Sequence, residues 1–109
     1  MVRHGMLVEG TSEYTSPLFI VDREGKSPRV VCDYKTLNSK TKSDNYEMPH
    51  CDELIDKLVS AKFISVFDFV KGYFQVELAA SSRKYAAVTS PFGTYLWTVM
   101  PQGLQTAPA

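Results

Sequence analysis

Apolar and polar positions alternate most clearly over residues 29–35, with Val30, Cys32 and Tyr34 on one side and Arg29, Val31, Asp33 and Lys35 on the other. A period of two predicts a strand. A shorter apolar run, Leu18-Phe19-Ile20-Val21, follows Ser16-Pro17, and the polar stretch 22–27 between the two runs carries Gly25, so they are expected to form a hairpin. Pro28 cannot donate to a ladder and suits an edge or a strand start. Residues 38–50 are polar, contain Pro49 and read as a loop. Cys51, Leu54, Ile55, Leu58 and Val59 then recur at helical spacing, while Asp52, Glu53, Asp56 and Lys57 fill the other face, which predicts a short amphipathic helix. Residues 63–69 are densely apolar and β-prone and predict a buried strand. Gly72 marks a turn, 73–78 returns to extended structure, and 79–84 makes one or two helical turns. Residues 85–89 and 94–100 flank Pro91-Phe92-Gly93 as a second hairpin. Residues 1–15 show no clean period and read as a lead-in. Residues 102–109 form a loop in which Pro108 stands at a helix start. Strands mixed with short helices, without regular βαβ alternation, define an α+β chain.

Composition narrows this picture. A chain of 109 residues is enough for one domain. Hydrophobic residues at 44% and charged residues at 22% are ordinary for a globular protein and exclude a disordered one. A domain of this size buries only about two-thirds of its unfolded-chain surface, so modest stability is expected. Lys and Arg number 12, balanced by 12 Asp and Glu, so no basic excess announces nucleic acid and any basic surface must be local. The two cysteines, Cys32 and Cys51, lack CxxC spacing, which gives neither a disulfide framework nor a zinc knuckle and fits a reducing compartment. No apolar run approaches the roughly 20 residues that span a bilayer, and Met1-Val2-Arg3-His4-Gly5 lacks a signal-peptide core. An intracellular protein without a membrane partner is expected.

Two clusters carry candidate chemistry. Asp68 shares a face with Ile64 and Val66 at the end of the apolar run 63–69. A carboxylate there is costly to bury unless something pairs with it. A hard divalent cation would do so, and so would the backbone N–H groups of a turn that Asp caps; these residues alone do not choose between the two. The second cluster is Arg29, Asp33 and Lys35 on one strand face, with Arg23 and Lys26 in the preceding turn. A solvated strand face is the plainer reading, and a polyphosphate clamp is the alternative. Zinc on His4, Cys32, His50 and Cys51 is disfavoured, because Cys32 sits on the apolar face and no partner pair stands at ligand spacing. No nucleophile elbow, P-loop or dinucleotide fingerprint is present.

The order of segments says more than any single residue. Ser16-Pro17-Leu18-Phe19-Ile20-Val21 is followed by Arg29-Val30-Val31-Cys32-Asp33-Tyr34-Lys35-Thr36-Leu37-Asn38 and by Asp52-Glu53-Leu54-Ile55-Asp56-Lys57-Leu58. Phe67-Asp68-Phe69-Val70-Lys71-Gly72-Tyr73-Phe74-Gln75-Val76, Pro91-Phe92-Gly93, Met100-Pro101-Gln102-Gly103-Leu104 and Ala107-Pro108-Ala109 complete the series. From about Gly5 onward the chain resembles the reverse transcriptases of gypsy-type LTR retrotransposons. The resemblance implies a partial right-hand polymerase fold: residues 1–60 mainly fingers, and 61–109 the palm strand with Asp68 plus a hairpin returning between fingers and palm. It also implies RNA-directed DNA polymerisation within a polyprotein, in a cytoplasmic particle or the nucleus. The partners would be an RNA or DNA template with its primer, deoxynucleoside triphosphates, and the remaining palm, thumb and RNase H parts.

By position, Asp68 resembles the first catalytic aspartate, a ligand to two Mg2+ (or Mn2+) ions in the complete enzyme, and Phe69 would offer its backbone carbonyl to one of them. Arg29 resembles the fingers arginine over the incoming triphosphate, with Arg23 and Lys26 as further phosphate contacts. Tyr73 resembles the residue under the deoxyribose that excludes a 2′-hydroxyl, and Gln102 the pocket residue near the 3′-hydroxyl. Asp33, Lys35 and Asn38 resemble positions of the template contact and the fingers framework. Some positions depart from the family pattern. Asp22-Arg23-Glu24 stands where consecutive lysines are usual, and the two carboxylates oppose an anion there. Pro28 replaces a common aromatic, and Lys35 replaces Arg and loses its bidentate fork. The family's Tyr-x-Asp-Asp turn would lie beyond Ala109, so the 109-residue chain by itself is expected to be inactive. The alternative reading is a catalytically inactive remnant that retains at most nucleotide or nucleic-acid contact.

Overall fold

The computed structural model describes residues 1–44, 46 and 49–107. Its centre is one sheet of five strands, β1 (Leu7–Glu9), β2 (Ser16–Arg23), β3 (Lys26–Cys32), β4 (Val88–Ser90) and β5 (Gly93–Trp97), in the order β1-β5-β4-β2-β3. Two α-helices, α1 (Lys35–Asn38) and α2 (Cys51–Val59), lie between β3 and β4 in the chain. This is an α+β fold.

β2 and β3 form the expected hairpin, with Leu18 opposite Cys32 and Val21 opposite Arg29. The turn is shorter than the polar stretch 22–27 suggests. Arg23 pairs with Lys26, which leaves Glu24-Gly25 as the turn, with Gly25 at φ 68°. Polar side chains do not stop an antiparallel ladder where neither face needs burial. The register shifts between Val21 and Arg23, across from Pro28. β3 is a sheet edge, where a missing N–H is tolerated. The second hairpin pairs Val88 with Tyr95 and Ser90 with Gly93. β4 runs parallel to β2 through Ser16–Val88 and Pro17–Thr89.

The lead-in 1–15 holds a strand that its sequence does not announce. Leu7 pairs with Trp97 and Glu9 with Tyr95, and three residues are too few to display a period. Leu7, Tyr34, Ala86, Val88 and Trp97 form the buried core, with Leu18, Cys32, Phe74, Leu78 and Val99 packed against it. Trp97 stacks on Phe74, ring centroids 5.6 Å apart and planes 13° from parallel. Burying one such indole stabilises the fold by roughly 5 kcal/mol before entropy is charged.

Several expectations need correction. The strand expected over 29–35 ends at Cys32, because the Asp33 carboxylate accepts the Lys35 N–H (3.0 Å) and starts the single turn of α1. Residues 73–78 begin as a 3-10 turn, Gly72–Gln75, and become extended only where Glu77 bridges Val99. Residues 79–84 form turns, with the N–H groups of Ser82 and Arg83 donating to the Ala79 carbonyl, and no α-helix. The loop assigned to 38–50 includes residues outside the described set, as does the helix start at Pro108.

The largest correction concerns 63–69. Instead of a buried strand, this run is extended chain with no ladder, and Phe63, Val66, Phe67 and Phe69 are between 77% and 93% exposed. An apolar run makes a strand only when another strand supplies its hydrogen bonds, and among the described residues none does. α2 forms where the periodicity places it, but its apolar stripe is also uncovered, with Leu54, Ile55 and Leu58 about half exposed. Residues 51–70 are therefore an arm projecting from the sheet body. The radius of gyration is 17.3 Å, against about 13 Å for a compact domain of this length. The accessible surface is 9007 Å², against about 6,100 Å² for a compact monomer of this mass.

Candidate polymerase active-site segment

Arg29 lies on the edge strand β3, and Gln102 follows the buried Pro101 just after the bridge at Val99. The two are 73 positions apart in sequence, yet the Arg29 guanidinium donates to the Gln102 side-chain carbonyl. Beneath this contact is a cavity of about 290 Å³, lined by Arg29, Cys32, Phe74, Trp97, Gln102 and Gly103 among others. The Phe74–Trp97 stack joins it to the 3-10 turn that follows Asp68. The Trp97 Nε1–H is buried without a hydrogen-bond partner among the described residues.

Tyr73 lines a different cavity, of about 500 Å³, with Phe69, Gly72, Val76 and Met100. Lys71, at φ 53°, turns the chain between Asp68 and Tyr73 in the left-handed region that non-glycine residues seldom adopt, and the Gln75 side chain closes that turn by donating to the Val70 carbonyl (2.9 Å). Asp68 itself is exposed on the arm. Arg23 and Lys26 sit at the far end of the hairpin, where the Arg23 guanidinium donates to the Ser27 carbonyl (3.0 Å). Asp33 starts α1, and Lys35 is exposed. Asn38 spans the loop after Gln102: its amide donates to the Gly103 carbonyl (2.8 Å) and accepts from the Gln105 N–H (2.9 Å).

Burial pushes the Cys32 thiol above its ordinary value. The Tyr34 phenol is raised well above its ordinary value by burial first and by the neighbouring Cys32 second, and it donates to the Ala86 carbonyl (2.9 Å). Burial thus favours the neutral form of both groups, and of the two Cys32 lines the cavity beside Arg29 and Gln102. No three His, Cys, Asp or Glu side chains converge on a common point among the described residues. Asp68 supplies one hard oxygen donor of the kind Mg2+ prefers; it fits as one contributor to a metal site rather than as a whole one.

The sequence brings Gln102 and Asn38 forward only through resemblance, whereas Arg29 also stands out in the charged cluster of its strand. The Phe74–Trp97 stack and the two hydrogen bonds of Asn38 to one loop have no local signal, because both join residues far apart in the chain.

The sheet with its projecting arm is part of the polymerase fold of a reverse transcriptase. It superposes on the foamy viral protease-reverse transcriptase in complex with an RNA/DNA hybrid at TM-score 0.86 and 26% identity, over 99% of this chain and 14% of that one. The match to the same viral enzyme in complex with double-stranded DNA has TM-score 0.86 and 25% identity, over 98% of this chain and 19% of that one. The family model for reverse transcriptase (RNA-dependent DNA polymerase) matches residues 21–109, and the chain belongs to that family. Among relatives, a putative enzymatic polyprotein of Cassava vein mosaic virus is 37% identical over all of this chain and 18% of its own length. The retrovirus-related Pol polyprotein from transposon 297 of Drosophila melanogaster is 36% identical over all of this chain and 11% of its own length. The chain thus spans less than a fifth of these relatives.

Proposed function

We propose that the chain supplies the fingers and the first part of the palm of a retroelement reverse transcriptase, which adds deoxynucleotides to a primer on an RNA or DNA template. Residues 1–60 serve mainly as fingers, and 61–109 carry Asp68 and the returning hairpin. The ordered sequence blocks, together with the transposon relatives, support a gypsy-type element as the source. The observation that carries the reading is the Arg29–Gln102 contact beside a partly open cavity: a guanidinium and an amide, both placed by the resemblance at the incoming nucleotide, meet at one point from distant parts of the chain. The alternative of an inactive remnant is not favoured, since Asp68, Tyr73, Arg29 and Gln102 all keep the side chains that the reaction calls on.

In this reading Arg29 binds the triphosphate with its planar fork, Gln102 senses the 3′-hydroxyl, and Tyr73 excludes a 2′-hydroxyl. Arg23 and Lys26 give further phosphate contact, and Asp33, Lys35 and Asn38 belong to the template contact and the fingers framework. Asp68 and the Phe69 carbonyl would hold divalent cations, which when bound activate the primer hydroxyl and stabilise the departing pyrophosphate. The exposed apolar arm packs against the rest of a longer polyprotein. Nucleic acid as partner is supported by the duplexes bound to the foamy viral enzyme.

The test replaces the matching segment of the foamy viral enzyme with residues 1–109 and measures Mg2+-dependent primer extension. Extension by the chimera and its loss in Asp68→Asn are expected. A folded chimera that never extends, or one that extends equally well with Asn at 68, rejects the reading.

A further inference from the structure

The loop that presents Gln102 is short, and little of it is held by regular structure. Pro101 is buried, Gly103 takes φ 101°, and Leu104 is half-buried. Gln102 can face Arg29 only if this backbone is fixed from outside. We propose that Asn38 is the positioning residue that fixes it, acting on the nucleotide site through Gln102 rather than by touching nucleotide or template; the proposal rests on the polymerase reading for its functional consequence.

Three observations carry this. Asn38 binds the loop on both sides at once, donating to the Gly103 carbonyl (2.8 Å) and accepting from the Gln105 N–H (2.9 Å), across 65 and 67 positions of sequence. An amide is among the few side chains that can donate and accept in one plane at this spacing. Second, Asn38 is itself anchored. It is the last residue of α1, its N–H donates to the Tyr34 carbonyl (2.7 Å), and Tyr34 is 2% exposed with its hydroxyl on the Ala86 carbonyl. Third, the tethers close a ring. From Arg29 the chain runs along β3 to Tyr34, through α1 to Asn38, across to Gly103, back to Gln102, and home to Arg29. A closed ring of this kind holds two side chains in register without a ligand present, which is the preorganisation a binding site needs.

The test has two arms. In the 109-residue chain, amide hydrogen exchange reads the clamp directly. The Gln105 N–H is expected to exchange at least about tenfold more slowly than in a free peptide, and Asn38→Ala is expected to abolish that protection while the Trp97 indole signal stays dispersed. Free-peptide exchange at Gln105 in the unsubstituted chain, or protection that survives Asn38→Ala, overturns the proposal; the first of these needs no variant to fold. In the foamy viral chimera, Asn38→Ala and Asn38→Asp are expected to raise the KM for deoxynucleotide about tenfold with kcat changed less than about twofold, the pattern of lost ground-state positioning. An unchanged KM, or an equal fall in kcat and kcat/KM, overturns it. If the unsubstituted chimera is inactive, the polymerase reading fails while the exchange arm still judges the clamp.

Discussion

The projecting arm is richer in apolar residues than the sheet body, and yet it is the arm that stays exposed. In the body, Leu7, Val88 and Trp97 are buried because five strands supply each other's hydrogen bonds. In the arm, α2 has its helical period and residues 63–70 their apolar run, but neither finds a partner among the described residues, so Phe63, Phe67 and Val70 face solvent. Local pattern decides which conformations are available to a segment, and partners decide whether it is buried. The proposed chemistry divides along the same line. Arg29 and Gln102 sit on the preorganised body, whereas Asp68 sits on the arm, where only further protein or bound metal could fix its position.

The division is tested most sharply at Asp68. In the chimera, Asp68→Asn is expected to lower kcat by about 10⁴-fold, equivalent to roughly 5 kcal/mol of barrier. The same substitution in the 109-residue chain should shift stability by no more than about 0.5 kcal/mol, because the side chain is exposed. Steady-state primer extension and a denaturant melt measure the two numbers. A large loss of stability would show that the arm is packed in solution and would erase the contrast. Without the remaining polymerase, the chain should extend no primer.

Next in size is a pair of aromatic truncations. Trp97→Ala removes the core indole and its stack on Phe74, with an expected cost of about 3–5 kcal/mol. Phe67→Ala removes a ring that is 88% exposed and should cost nearly nothing in the isolated chain. The same Phe67→Ala in the chimera should destabilise measurably, if the remaining polyprotein covers the arm. Equal melts for the two variants of the isolated chain would mean that body and arm are not distinct.

A smaller effect is expected within the body at Gly103. Its φ of 101° is a conformation that L side chains avoid, while an added Cβ would meet only ordinary contacts at 3.7 Å from the Tyr34 ring and 3.8 Å from the Cys32 carbonyl. Gly103→Ala should therefore cost about 1–2 kcal/mol through backbone strain rather than crowding, and raise the nucleotide KM by moving Gln102. A variant as stable as the parent would show that the loop relaxes freely and is not held in register.

Much of this architecture was legible in the sequence, for identifiable reasons. Both hairpins and α2 rest on periods within a few residues of chain, and such periods survive whatever packs on them. β1 was hidden because three residues hold no period, and its pairing with β5 depends on chain more than 80 positions away. The run 63–69 misled because composition signals a wish for burial and says nothing of a partner. At the site, Arg29 and Gln102 are brought to one nucleotide only through resemblance to a known family, and the contact of Asn38 with their loop emerges only from the structure; no local rule relates position 38 to positions 103 and 105. Alternation places Tyr34 on the apolar face of its strand, and it is buried accordingly, although the strand ends two residues earlier.

Tyr34 gives the mildest and most specific test of the body. Tyr34→Phe keeps the ring and removes the hydroxyl that donates to the Ala86 carbonyl, so a loss of about 1–2 kcal/mol is expected near neutral pH. The pH dependence follows from the raised phenol. Tyr34 and Cys32 both lie above their ordinary values of 10.0 and 9.0, each chiefly through burial. The fold therefore favours their neutral forms, which an unfolded chain gives up at lower pH. Their contribution is complete below about pH 9.0, where unfolded Cys32 starts to ionise, and drains away as the pH rises through 10.0, where unfolded Tyr34 follows. Denaturant melts from pH 7 to 11 should fall steadily for the parent chain above pH 9. In Tyr34→Phe the tyrosine share of that fall should vanish and only the earlier, shallower cysteine share remain, so the two curves converge at high pH. Parallel curves would mean that the phenol is solvated, and that the ring running from Arg29 through Tyr34 to Asn38 has no dry anchor.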